Sequence, residues 1–231
     1  MDIALKGFIA SSMLDWDGKL ACVLFTGGCN LKCVYCHNAD LVLTPNELPN
    51  IDFSLVEKHL LKKKDWIDGC VVTGGEPLIH SWLPQLLEKI KSLGFKTKLD
   101  TNGVLSGALI KLLNTDLVDY VAMDIKTSFV KYCELVNIDV DLQEIKKSIA
   151  VLSESGVEHE FRTTVVPQYV EKSDLVAIAK YIKGSKAYFL QQYKPDHTLE
   201  PQTSNIAPYS EQELKEMAQE CSKYVMTKVR C

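Results

Sequence analysis

Six times along its 231 residues the chain sets a short apolar run before a stretch whose apolar positions recur at helical spacing, and this alternation narrows the fold more than any other feature. The runs of strand character are LACVLFT from Leu20, GCVVTGG from Gly69, KTKLDTNG from Lys96, DYVAMDIK from Asp119, EHEFRTTVVP from Glu158 and KAYFLQQYKP from Lys186. After the first comes FSLVEKHLLKKK, with Leu55, Val56, His59 and Leu60 on one face, and after the second WLPQLLEKIKSLG, stopped by Gly94. SGALIKLLNT, VDLQEIKKSIAVLSESG and KSDLVAIAKYIKG follow in turn, and SEQELKEMAQECSKYVM closes the series, opened by the capping hydroxyl of Ser210. Strands separated by helices pair in parallel, with right-handed crossovers. Six units leave a barrel incomplete, so the expectation is an α/β fold, a single-domain partial (β/α)6 barrel spanning residues 1–231. With 46% hydrophobic residues the chain can bury one large core, and only DHTLEPQTSNIAPY, from Asp196, reads as a long polar connection.

A formal net charge of -4 and scattered basic residues, with Lys62 to Lys64 the one tight run, argue against a nucleic-acid partner held by bulk electrostatics. Asp2, Lys6 and Asp15 interrupt the N-terminal segment, which lacks signal-peptide character, and no later apolar run is long enough to span a membrane. The expected location is the cytoplasm, with no membrane partner. In that reducing compartment eight cysteines are not expected to pair as disulfides, and closely spaced ones read as metal ligands or catalytic thiols.

Three of them, Cys29, Cys33 and Cys36, stand within TGGCNLKCVYCHNAD, directly after the first strand. An iron-sulfur cluster, a zinc site completed by His37, and a covalently attached haem, for which CVYCH is the pattern, could each use such a segment. Haem attachment takes place outside the cytoplasm. A structural zinc site needs a closed fourth position, and adjacent side chains such as Cys36 and His37 rarely point at one metal. Cys22, by contrast, reads as a small core residue, and Cys70, Cys133, Cys221 and Cys231 form no second cluster pattern. The other strands end in TGGEP, DTNG, DIK, TTVVP and QQY, so every one delivers polar or backbone-exposing chemistry to a single rim, where active sites of such folds gather.

CNLKCVYC, with the aromatic Tyr35 before its last cysteine, resembles the three-cysteine signature of the radical S-adenosylmethionine (radical SAM) enzymes, and GGEP resembles their glycine-rich cofactor motif. The longer CVYCHNAD, with DTNG and DIK, resembles the activating enzymes of glycyl radical proteins, those for pyruvate formate-lyase and anaerobic ribonucleotide reductase. The chain departs from them at DWDGK, Asp15 to Lys19, where such chains often carry a Pro-Gly turn. The resemblance implies one 4Fe-4S cluster on Cys29, Cys33 and Cys36, with one iron left open for S-adenosylmethionine. No cysteine follows in LVLTPNELPNIDFS, where some activating enzymes carry extra cluster ligands. It implies cofactor contacts from Tyr35, His37, Gly74, Gly75, Glu76, Asp100, Thr101, Asn102 and Lys126. The glycine backbones would meet the amino group, Lys126 the carboxylate and Asp100 the ribose, with Glu76 near the amino charge. Of Gln191 and Gln192 only one can face inward, and Gln192 is assigned. Asp100, Thr101, Asp124 and the carbonyl of Ala122 are implied as a monovalent-cation site.

The implied activity is abstraction of a hydrogen atom from a backbone glycine of a partner enzyme, anaerobic ribonucleotide reductase first among the candidates. Flavodoxin or ferredoxin would be the electron donor. Activation of pyruvate formate-lyase or another glycyl radical enzyme, a small-molecule radical enzyme of the 7-carboxy-7-deazaguanine synthase type, and a non-catalytic metal or electron-transfer module are the alternatives. The absence of a large C-terminal extension favours a macromolecular substrate, which can itself cover the barrel mouth and exclude water.

Overall fold

Two strands that the periodicity does not predict frame the six that it does. The computed structural model describes residues 3–231; Asp2, one of the charges noted above, lies outside the described residues. One eight-stranded sheet carries the strands in chain order: β1 (Leu5–Ser12), β2 (Ala21–Thr26), β3 (Gly69–Gly74), β4 (Lys96–Thr101), β5 (Tyr120–Asp124), β6 (Glu158–Val165), β7 (Tyr188–Gln192) and β8 (Thr227–Arg230). β1 is antiparallel to β2, and all later neighbours are parallel. Asp15 to Lys19, where the chain departs from the resemblance, therefore lies in the turn of a hairpin. β8 emerges where the closing helix was expected to run on to Met226, because that helix stops at Cys221 and the chain turns through Val225.

Helices supply the crossovers. α1 (Ala39–Leu43) and α2 (Phe53–Lys62) follow β2, α3 (Leu83–Ser92) follows β3, and α4 (Ser106–Leu113) follows β4. α5 (Tyr132–Val136) and α6 (Leu142–Glu154) follow β5, α7 (Lys172–Tyr181) follows β6, and α8 (Glu211–Cys221) follows β7. Asp52 and Asp141 cap α2 and α6 through the N–H groups of Ser54 and Gln143, and Ser210 with Glu213 forms a capping box on α8. α2 buries Phe53, Val56 and Leu60, while Leu55 is exposed, so the buried stripe shares only Val56 and Leu60 with the face expected from the sequence. Among the described residues no helix is long and apolar enough to cross a membrane.

The two faces of the sheet differ. Outward-facing Cys22, Leu24, Cys70, Val72, Leu99, Val121 and Phe161 join the helices in the main core. Inward, a small apolar cluster of Trp16, Ala21, Val23 and Val71 sits with Tyr120. The register then stacks Lys98, Asp100, Asp124, Glu160 and Arg162 on that same inner face. The hairpin turn meets the far edge of the sheet, where Arg230 Nη2 donates to Asp17 Oδ1 at 3.1 Å.

Candidate functional site

β2 ends at Thr26, and the next residues are held close against the loop after β3. Gly75 N–H donates to Thr26 O at 3.0 Å and Glu76 N–H to Gly28 O at 2.9 Å. A Cβ on Gly75 would stand 1.7 Å from Gly28 O, and Gly74, at φ +115°, would put one 2.5 Å from Thr26 O. The two glycines therefore answer first to loop packing, a requirement separate from close approach to a ligand.

The cysteine loop is tied across the mouth of the sheet at several points. Lys32 N–H and Val34 N–H donate to the carbonyls of Val136 and Leu135 in α5, both at 3.1 Å. Leu199 N–H donates to Cys36 O and Glu200 N–H to Val34 O, both at 2.9 Å. These contacts turn Cys29, Cys33 and Cys36 into one cavity, together with Tyr35, His37, Gly74, Gly75 and Glu76. Asp100, Thr101, Asn102, Asp124 and Lys126 complete its far wall. His37 marks the outer rim, its ring stacked at 15° on Tyr193 and hydrogen-bonded to the Lys194 carbonyl.

Burial pushes the Cys29 thiol up to about 11 and Cys33 up to about 12, with Lys126 acting in the opposite direction in both. Cys36 is raised by the same cause. The free thiols are therefore protonated near neutrality, and loading the site with iron releases protons. Burial likewise pushes Glu76 up to about 7 against three donors: Thr101 Oγ1 at 2.8 Å, Asn102 N–H at 2.7 Å and Leu78 N–H at 3.1 Å. Glu76 thus clamps the DTNG loop to the GGEP loop, a role the reading of it as a partner for an amino charge did not include.

Lys126 Nζ donates to Asp124 Oδ2 at 2.9 Å, and Arg162 Nε to Asp124 Oδ1 at 2.7 Å. Arg162 Nη1 reaches Asp100 Oδ2 at 3.2 Å. Burial would raise Asp124, but Arg162 and Lys126 outweigh it and hold the carboxyl well below its ordinary value. Burial would lower Lys126, and Asp124 more than offsets that. Asp124 and Lys126 are therefore both ionised at neutral pH.

Arg162 escaped the sequence reading, as did Asn38, whose Nδ2 donates to Gly74 O at 3.0 Å. A charged residue inside a strand run, next to Phe161 in EFRTT, was the available signal. Gln192 is a correction. Thr164 lines the cavity and pairs with Gln191, so the parallel register turns Gln191 inward and Gln192 outward, where its Nε2 donates to Tyr209 O at 3.0 Å. At the implied cation site most of the oxygens are engaged by protein groups. Asp124 has both oxygens engaged, the Thr101 hydroxyl donates to Glu76, and Ala122 lies within β5 and does not line the cavity.

The residues fit the implied cluster and cofactor. Cys29, Cys33 and Cys36 line one cavity, and three thiolates are the ligand count that leaves one iron of a 4Fe-4S cluster open. Tyr35 Oη and Asp100 Oδ1 are buried without hydrogen-bond partners, and both residues line the cavity. An acceptor left open at Asp100 suits a ligand hydroxyl.

Residues 23–182 match the radical SAM superfamily. A Methanocaldococcus jannaschii protein whose name places it among glycyl-radical enzyme activating enzymes is 33% identical over 97% of this chain and 94% of its own length. Pyruvate formate-lyase-activating enzyme of Staphylococcus epidermidis is 38% identical over 42% of each chain. In fold, the chain resembles Streptococcus suis SuiB at TM-score 0.70 and 17% identity, covering 90% of this chain and spanning about half, 48%, of that one. A domain of pyruvate-formate lyase-activating enzyme from Bacteroides vulgatus aligns at TM-score 0.58 and 16% identity, over 71% of this chain and 99% of the domain. The chain belongs to the radical SAM superfamily, and its sequence relatives are the activating enzymes of glycyl radical proteins.

Proposed function

We propose that this chain abstracts a hydrogen atom from a backbone glycine of a partner glycyl radical enzyme, with anaerobic ribonucleotide reductase the first partner to test. The observation that carries this reading is the near end-to-end relation, over 97% of this chain, to a protein named for that activity. When bound, the 4Fe-4S cluster and S-adenosylmethionine supply one-electron reduction and a carbon radical able to take the hydrogen atom. The protein holds and shields them. Cys29, Cys33 and Cys36 would anchor three irons, Lys126 would pair with the cofactor carboxylate, and Asp100 Oδ1 would accept from the ribose. Gly74 and Gly75 would present backbone toward the amino group, and Tyr35, His37 and Asn102 border the same cavity. A reduced flavodoxin or ferredoxin is the proposed electron source.

The mouth of an open-sided sheet suits an extended peptide loop, and glycine has no side chain to obstruct the approach. Anaerobically reconstituted, reduced protein mixed with candidate partners should produce a glycine-centred paramagnetic signal on the partner. Deuterium should pass from that glycine into 5'-deoxyadenosine, and oxygen should then cleave the partner there. Turnover of a small pterin with no signal on any glycyl radical protein would replace this reading with the small-molecule one.

A further inference from the structure

The oxygens expected to hold a monovalent cation already face one. Arg162 projects from β6 beside Asp124, with which it is in register, and its guanidinium spans to Asp100 on β4. The strand between contributes Ala122, paired with Asp100, and its one-carbon side chain leaves the crossing open. Of the four carboxylate oxygens, three accept from Arg162 or Lys126, and the fourth, Asp100 Oδ1, faces Lys98 Nζ at 3.6 Å. Thr101 Oγ1 is likewise committed, donating to Glu76 at 2.8 Å and accepting from Gly103 N–H at 3.1 Å.

Charge balance points the same way. A column of ion pairs runs from Asp17 through Arg230, Glu160, Lys98, Asp100, Arg162 and Asp124 to Lys126. Anions and cations alternate along it and cancel, which leaves no net negative charge to attract a further ion. A hard monovalent ion needs several free oxygens at once, and of these only Asp100 Oδ1 lacks a hydrogen-bond partner.

We propose that Arg162 is the resident cation of this site: it occupies the place between Asp100 and Asp124 that the family resemblance gives to a monovalent metal ion, and it positions Lys126 without one. The guanidinium is permanently charged, planar and covalently tethered, so it neither exchanges with salt nor depends on its composition. The inference rests on the reading that this cavity binds S-adenosylmethionine.

The test is anaerobic titration of the reconstituted protein with S-adenosylmethionine in potassium, sodium or tetramethylammonium chloride at equal ionic strength, alongside thallium NMR with and without the cofactor. The parent protein should bind within about twofold in all three salts and show no stoichiometric thallium site. Arg162→Gln should bind about tenfold more weakly in tetramethylammonium and recover in potassium or sodium, a salt response that a merely structural arginine would not create. A parent protein that binds about tenfold more tightly in potassium or sodium, or that takes up one thallium, overturns the proposal. So does a folded Arg162→Gln whose affinity ignores the salt. Should the variant fail to fold, the parent arms decide alone. Failure of the parent to bind S-adenosylmethionine in any salt would strike the cofactor assignment, and the cofactor-free thallium arm would still settle the cation.

Discussion

Leu99 and Lys98 are neighbours on β4 and are both buried, yet they belong to different environments. Leu99 faces the helices in a predominantly apolar layer. Lys98 faces the barrel interior, 1% exposed, its ammonium among Asp100, Glu160 and the Asp15 carbonyl. The outer face is held by an interaction proportional to area and indifferent to direction. The inner face is held by charges that are stable only as a complete set, because a buried ion without its partner is costly. One sheet therefore separates the work: its outside builds the shell, and its inside delivers fixed charge to the cavity.

The sharpest break in that comparison comes from cysteine itself. Cys33→Ser should abolish activity and remove most of the iron, whereas Cys70→Ser, on the outer face of β3, should keep the iron and lose about 1–2 kcal/mol of stability. Cys221→Ser, on α8, should likewise keep it. Iron analysis after anaerobic reconstitution decides, and equal loss from the outer-face variants would dissolve the distinction.

Next come the two neighbours. Leu99→Ala should cost about 2–5 kcal/mol at every pH. Lys98→Met should cost about 3 kcal/mol at neutral pH, since it leaves Glu160 with Arg230 and Asp100 with Arg162 as their remaining cations. Burial would raise Glu160, but Lys98, Arg162 and Arg230 hold it below its ordinary value. A carboxyl lowered in this way contributes stability above its unfolded pKa and loses it as pH falls through the folded one. The penalty of Lys98→Met should therefore shrink toward acid, and urea unfolding at neutral pH and near pH 4 should show it. Parallel pH profiles for the two variants would mean that the inner charges do not act as a set.

Smaller effects test the cavity wall. Lys126→Ala and Asp100→Ala should each weaken S-adenosylmethionine binding by about tenfold while iron content holds. Parental affinity in both would mean the far wall does not meet the cofactor. The smallest change is expected from Gln192→Ala, which should forgo the bond to the Tyr209 carbonyl, cost about 1 kcal/mol and leave cofactor affinity unchanged. A cofactor effect there would reverse the assignment of faces.

What could be read from the residues follows the same division. The outer face announces itself through apolar periodicity, so β2 to β7 and the longer helices were legible to within a few residues, while the one-turn helices α1 and α5 were not. The cysteine loop was legible because three thiols in eight residues have few other uses. β1 was not, since LKGFIASS carries a lysine, a glycine and two serines, and TKVR of β8 is too short to stand out after a helix. The inner charges were opaque for a different reason. Lys98, Glu160 and Arg162 read as polar interruptions of strands, and only the register shows that they meet. Gln192 went astray because the residues say that one of two glutamines faces in, and the pairing of Thr164 with Gln191 says which.

The order of the strands bears on how the chain is made. Each strand from β2 onward lies beside the one before it in sequence, so each new β/α unit emerging from the ribosome finds its docking edge already synthesised. Loop closure is thereby paced in short steps. The contact between Asp17 and Arg230 runs against that order, spanning 213 residues and waiting until β8 has been translated. Truncation before β8 should leave a chain that assembles most of its sheet while the charge column lacks its last cation. Nascent-chain proteolysis would register that as late protection of the hairpin turn.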